Sequence, residues 1–309
     1  MEELLWVEKY RPNKIDDCIL PSSIKDSFRE FVRKGSIPNL LLTGSHGTGK
    51  TTVARAMLDE IEADHIIVNG SLNRNIDTLR NEVQTYSSTV SMTGGRKYVI
   101  FDEADGLNPT VQAALRAFIE EFSSNVSFIF TCNFKDKIIA PIHSRCSVIE
   151  FKFDKKDKPQ LAAQLFKRIC YILKQEKIEY DKEAVAALIS KHYPDNRRII
   201  NELQRYSASG RIDSGVLAKA DTSISNLIKL MKNNDATGMR NWVGENSDID
   251  NHAIYREFYN EAGTHFVPSS MLIVIALISK YMYQDAFVAD REINLAGFLA
   301  EVMLSAEYK

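Results

Sequence analysis

Hydrophobic positions change their spacing along these 309 residues. From about residue 37 to 151, short apolar runs bounded by turn or polar residues alternate with longer polar-patterned segments. The runs are "NLLLTG", "DHIIVNG", "KYVIFDE" and "VSFIFTCN". Strands buried on both faces of a parallel sheet read this way, and the segments between them are long enough for crossover helices. The pattern therefore predicts an α/β layer with helices on both sheet faces. The stretch "IIAPIHSRCSVIEF" reads as a polar loop ending in one more strand. After "VIEFKFDKKDKP" no convincing strand follows, and apolar residues recur at helical spacing in "QLAAQLFKRICYILKQE", "KEAVAALISKHY" and "RRIINELQRYS". A polar, glycine-bearing stretch, "SASGRIDSG", punctuates this region. Beyond it, "SSMLIVIALISKYMYQ" and "EINLAGFLAEVML" predict a second helical region. The expected domains are residues 1–151, 152–220 and 221–309.

Composition adds exclusions. Hydrophobic residues make up 44% and charged residues 26%, an ordinary globular balance. The net charge of −2 argues against an indiscriminate basic nucleic-acid binder, though not against a localised patch. The four cysteines, Cys18, Cys132, Cys146 and Cys170, form no C-x-x-C pair, which argues against a zinc site and for reduced thiols. The start shows no signal-peptide pattern and no apolar run reaches membrane-spanning length, so a soluble, cytoplasmic protein without a membrane partner is expected.

The candidate chemistry begins with "GSHGTGKT", Gly44 to Thr51, which matches G-x-x-x-x-G-K-[ST] directly after the strand-like "NLLL". A helix-compatible segment, "TTVARAMLDEI", follows it. In that setting the backbone N–H groups of Gly47, Thr48 and Gly49 and of the helix start at Thr52 point inward to hold phosphate oxygens. Lys50 would reach the β- and γ-phosphates of ATP, and the Thr51 hydroxyl would ligate Mg²⁺. A chance match is expected in roughly one chain in a hundred or fewer, and the strand–loop–helix context makes chance rarer still. "YVIFDEAD" ends a strand in acids: Asp102 is placed for the Mg²⁺ shell and Glu103 for polarising an attacking water. Single acids at strand ends commonly do no more than solvate them, but the phosphate loop upstream favours hydrolysis. Asn133, at the end of "FIFTCN", would bond the γ-phosphate or orient the water if its strand neighbours the one carrying Asp102, and would otherwise cap its strand.

Together these pieces resemble the AAA+ ATPases, and within them the clamp-loader family. "TCNFKDKIIAPIHSRCSVIEF" is similar to that family's run from its first sensor to its Ser-Arg-Cys motif, and "WVEKYRP" to its N-terminal signature. "VQAALRAFIEEFS" resembles its subunit-coupling helix, with Gln112 and Arg116 at the matching positions. "PDNRRIINELQ" resembles its second sensor, Arg197 being the matching arginine. The resemblance covers the first 205 residues strongly and is nearest to the large subunits of T-even-type bacteriophage loaders, with the small subunits of replication factor C next. His46 stands where the family usually has proline, and Pro194 where cellular members carry glycine.

The resemblance implies an AAA+ domain, a helical lid and a helical collar, assembled as a ring or arc of copies with a probable accessory subunit. It implies that Arg145 crosses into the ATP site of the adjacent subunit, where a planar, permanently charged fork neutralises developing phosphate charge. It implies that Val7, Glu8, Lys9, Tyr10 and Ile19 line the adenine side, Arg197 closing from the lid. It places Arg80 and Arg74 toward primer–template DNA, and Val90 and Met92 toward a sliding clamp. Ordinary solvated charge and a flexible loop are equally good readings of those four residues taken singly. The expected function is clamp loading at primer–template junctions, the alternative an AAA+ remodeller or initiator acting on another partner. A helicase, suggested by the letters "DEAD", lacks companion motifs and a second α/β domain.

Overall fold

A computed structural model describes residues 5–71, 76–89, 91, 94–154, 156–208, 210–213, 224–247 and 250–309. The chain divides into two compact units, residues 1–213 and 214–309. The first is built on a five-stranded parallel sheet: β1 (Leu40–Thr43), β2 (His65–Asn69), β3 (Lys97–Asp102), β4 (Val126–Cys132) and β5 (Ser147–Glu150), in the order β2-β3-β4-β1-β5. The four apolar runs are the four strands β1 to β4, and the loop-then-strand stretch supplies the edge strand β5.

Period-two alternation sorts the strand side chains onto two cores. Leu41, Val99, Phe101, Phe128 and Phe130 face one way, toward helices α4 (Ile76–Ser88) and α5 (Pro109–Glu121). Leu40, Leu42, Tyr98, Ile100 and Ile129 face the other, toward α2 (Ser22–Lys34) and α3 (Lys50–Glu60). Both faces are covered, which is why the strands read as continuous apolar runs. The ring of Phe101 stacks on Phe130 at 5.2 Å between centroids and on Phe128 at 6.4 Å.

The helices have local causes as well. The segment α2 stops at Gly35, whose φ of 61° lets Ser36 N–H reach back to Phe31 O and Gly35 N–H to Val32 O. The start of α5 is set by Asn108, whose side chain accepts from Val111 N–H at 2.8 Å, with Pro109 in the first turn. Two four-residue helices, α1 (Trp6–Lys9) and α6 (Ala140–His143), flank the functional region.

Still within the first unit, α7 (Lys158–Gln175), α8 (Lys182–His192) and α9 (Asn196–Ser207) follow the sheet. The expectation of no further strand needs one correction. Glu179–Tyr180 and Arg211–Ile212 form a parallel pair, β6 and β7, and two residues are too few to show an alternation. The second unit is helical: residues 224–232 (α10), then α11 (Ala236–Glu245), α12 (Asn251–His265), α13 (Pro268–Asp285) and α14 (Arg291–Ser305). Its core centres on Phe298, whose ring contacts Tyr255, Phe258 and Tyr281. All four cysteines are free, Cys18 and Cys132 being buried and the other two half-buried. Among the described residues no helix is long and apolar enough to cross a membrane.

Phe101 is fully buried one residue before Asp102. Phe101→Ala should lower the unfolding free energy by about 3–5 kcal/mol, read from denaturant unfolding.

Candidate nucleotide site

Strand order sets the site. Because β4 lies between β1 and β3, their carboxyl ends bring the loop after β1, the acids after β3 and the residues after β4 to one edge. The neighbouring strands assumed for Asn133 and Asp102 are indeed adjacent. In open parallel sheets this edge is where ligands bind.

The loop Gly44–Gly49 then leads into α3. Gly47 has φ 71°, and a Cβ there would meet Asp195 Oδ1 at 1.7 Å and its Cα at 3.1 Å, so only glycine fits. Gly44 is closed in by Phe151, whose carbonyl oxygen would lie 2.9 Å from an added Cβ. Lys50 turns back across the loop and donates to Gly44 O and Ser45 O at 2.8 Å and to Asn133 Oδ1 at 2.9 Å. Burial lowers its pKa. A buried ammonium in this position favours an anionic ligand.

The acids are held by hydroxyls. Asp102 Oδ1 accepts from Thr51 Oγ1 at 2.5 Å and from Thr131 Oγ1 at 2.6 Å. Thr131 Oγ1 also accepts from Glu103 N–H at 3.1 Å, so one hydroxyl fixes both acids. Glu103 sits at φ 54°, a conformation that costs a side-chain-bearing residue roughly 1–2 kcal/mol. That turn carries its side chain out of the sheet and into the cleft. Asp105 Oδ2 accepts from Asn133 N–H at 3.1 Å and Phe134 N–H at 3.2 Å, pinning the end of β4.

Around this edge lies a cleft of about 1180 Å³, counting the part open to solvent. Lys50, Thr51, Asp102, Glu103, Asn133 and Arg197 all line it, as do Gly47, Thr48, Gly49 and Thr52. Val7, Glu8, Tyr10 and Ile19 form another wall, and His46 also faces in. The helices α7 and α9 close it with Leu165, Arg168, Ile172, Asn196, Arg197 and Ile200. Asn196 N–H donates to Gly47 O at 3.0 Å, tying the start of α9 to the loop. Two buried polar atoms among these residues, Arg168 Nε and Asn196 Oδ1, have no hydrogen-bond partner. That suits a ligand carrying both donors and acceptors.

Not every candidate converges here. Lys9 is absent from the cleft lining and pairs with Glu176 at 2.7 Å, while Gly44 contributes its carbonyl to Lys50. Tyr10 lines the cleft and its hydroxyl donates to Glu176 Oε1 at 2.5 Å. The Glu8 carboxyl is held below its usual pKa by Arg11, with which it is hydrogen-bonded. Gln112 is buried away from the cleft: its Nε2 donates to Leu107 O at 2.9 Å and Lys137 O at 3.0 Å, and its Oε1 accepts from Ile139 N–H at 2.9 Å. Arg116 is exposed on α5. Arg145 is also outside the cleft, its guanidinium bonded to Glu120. Arg80 falls on α4, whereas Arg74, Val90 and Met92 lie outside the described residues.

Sequence reasoning missed Asp105, Thr131 and Arg168. The first two sit inside the quoted runs "DEAD" and "FIFTCN", yet their partners lie 28 and 29 positions away and depend on strand register. Nothing in the local pattern marks Arg168.

A phosphate loop joining β1 to α3, acids ending a nearby strand, and helices that close over the loop define a P-loop ATPase of the AAA+ type. Residues 40–153 match the family of ATPases associated with various cellular activities, and residues 157–218 match the family described as sliding-clamp-loader large subunit, AAA+ ATPase lid domain. The chain belongs to the sliding-clamp-loader large-subunit family. It is 34% identical over 316 residues to the sliding-clamp-loader large subunit of Enterobacteria phage T4, covering 100% of this chain and 98% of that one. The corresponding Escherichia phage RB69 subunit is 42% identical over 247 residues, 77% of each chain. A replication factor C small subunit from Sulfurisphaera tokodaii is 32% identical over 325 residues, covering 99% of this chain and 97% of its own. The Thermotoga maritima RuvB Holliday junction branch migration motor superposes with a TM-score of 0.55 at 19% identity, over 72% of this chain and 79% of its own, a likeness of fold alone.

Asp105→Ala would free the two N–H groups that hold the end of β4. ATP hydrolysis should fall about 10-fold or more while binding of a fluorescent ATP analogue stays within about 2-fold, because the change displaces Asn133 and leaves the loop intact.

Proposed function

We propose that this chain is the ATPase subunit of an assembly that opens a ring-shaped sliding clamp and loads it at primer–template junctions. The relatives named as sliding-clamp-loader large subunit and replication factor C small subunit support this reading. Residues 1–151 serve as the nucleotide-binding domain, 152–220 as the lid and 221–309 as the collar, in keeping with the family matches over 40–153 and 157–218.

In the hydrolytic step the loop N–H groups and Lys50 bind the phosphates, and Arg197 adds a cation from the lid side of the cleft. The oxygen pair Thr51 Oγ1 and Asp102 Oδ1 suits Mg²⁺, which favours hard oxygen donors and keeps several ligands from water and phosphate. Bound there, the ion would neutralise charge on the β- and γ-phosphates. Asn133 orients the attacking water and Glu103 takes its proton as the bond to the γ-phosphorus forms and ADP leaves. Val7, Glu8, Tyr10 and Ile19 hold the base side, with Lys9 acting through its tie to Glu176. Gln112 and Arg116 couple α5 to the neighbouring subunit. Arg80 and Arg74 track DNA phosphates, and Val90 and Met92 meet the clamp.

One observation carries the assembly. The cleft gathers its phosphate, metal and water-activating residues within one chain, but Arg145 stands apart from it. An arginine placed outside its own chain's cleft serves a neighbouring one, so hydrolysis is conditional on assembly. DNA in the arc aligns the subunits, and turnover releases the closed clamp.

Steady-state hydrolysis should be measured on the purified protein, with its accessory subunit where one co-purifies, with and without primer–template DNA. DNA should stimulate it, and Arg145→Ala should cut the stimulated rate by about 10³-fold or more while ATP still binds. Junction binding should weaken steeply with salt. A rate indifferent to DNA would favour a remodeller or initiator acting on another partner.

A further inference from the structure

The guanidinium of Arg145 is heavily committed within its own chain. Its Nε and Nη2 both donate to Glu120 Oε1, the first at 2.9 Å. Its Nη1 donates to Pro141 O at 2.9 Å and to Ser144 Oγ at 3.2 Å. All three nitrogens are engaged, two of them on a single carboxylate oxygen. The arginine side chain keeps only 26% of its exposure, whereas that of Glu120 keeps 54%.

Glu120 lies in the last turn of α5, the helix that also carries Gln112. Gln112 bonds the backbone at Lys137 and Ile139, immediately before the short helix α6 that leads to Arg145. The same helix therefore fastens the arginine twice, its approach through Gln112 and its charged end through Glu120. Arg116 stands one turn earlier, with Nε 4.0 Å from the same Glu120 oxygen, so the carboxylate is the meeting point of both arginines. A long side chain with several free rotors has to be ordered before it can meet a phosphate, and a pre-oriented fork loses less on doing so.

We propose that Glu120 is the positioning residue for Arg145, orienting its guanidinium for the neighbouring ATP site. The inference rests on Arg145 acting in trans. Because one oxygen receives both N–H groups, a glutamine carbonyl can replace it and an alanine cannot.

The test is DNA-stimulated ATP hydrolysis by the assembled protein. Glu120→Ala should lower kcat about 3- to 5-fold, the scale of an exposed ion pair, with the KM for ATP unchanged. Glu120→Gln should restore kcat to within about 2-fold of the parent, since the acceptor oxygen remains. On an Arg145→Lys background, where the fork is gone, Glu120→Ala should have no further effect. An unchanged kcat in Glu120→Ala, a raised DNA-independent rate, or an equal loss on the lysine background would each overturn the positioning role while leaving the trans arginine standing. Full activity in Arg145→Ala would instead remove the trans reading, and this inference with it.

Discussion

Asp102 accepts from two hydroxyls carried by separate elements, Thr51 on the helix after the phosphate loop and Thr131 at the end of the adjacent strand. The arrangement requires β4 to lie beside β3 and β1 to lie beside β4, in one register. If β4 slipped by one residue against β3, Thr131 and Asp102 would turn to opposite faces of the sheet. The apolar alternation that buries Phe101 and Phe130 on one face and Ile100 and Ile129 on the other guards against that slip. Packing on both sides of the sheet thus specifies a polar cluster at its edge.

Much of this could be read along the chain. Four buried parallel strands announce themselves as apolar runs because both sheet faces are covered, and the phosphate loop has a fixed spacing that phosphate geometry demands. Asp102 and Glu103 follow because acids closing such a strand face the loop. What the pattern withholds is pairing between distant positions. Asp105 has the same letter as Asp102, but its partner is the backbone of Asn133, a fact of strand adjacency. The two-residue strands β6 and β7 carry no periodicity at all, and the contact of Arg145 with Glu120 spans 25 positions without a local signature.

The division of labour between α5 and the cleft follows from the same geometry. Buried Gln112 saturates its amide on three backbone groups, which suits a rigid link better than a contact surface. Exposed Arg116 and Glu120 occupy the outer side of that helix. One helix thereby joins a fixed interior to a charged exterior, and the arginine of the Ser-Arg-Cys stretch belongs to the exterior.

The first described residues have their own allegiance. Trp6 N–H is held by Gln204 of α9, Lys9 and Tyr10 by Glu176 at the end of α7, and Tyr10 O by Arg168 of α7. A few residues later Ile15 N–H is held by Glu60 at the end of α3, and Cys18 is buried in the core beneath the sheet. One wall of the cleft is thus stitched to the helices that close it, and the stretch between Tyr10 and Ile15 spans the gap to the sheet. The cleft between them is therefore walled on one side by the phosphate loop and the edge of the sheet and on the other by Val7, Glu8 and Tyr10 with α7 and α9. The protein's own bonds already bridge the two sides, Asn196 to Gly47 and Ile15 to Glu60, so the cleft is a seam stitched at both ends rather than an open groove.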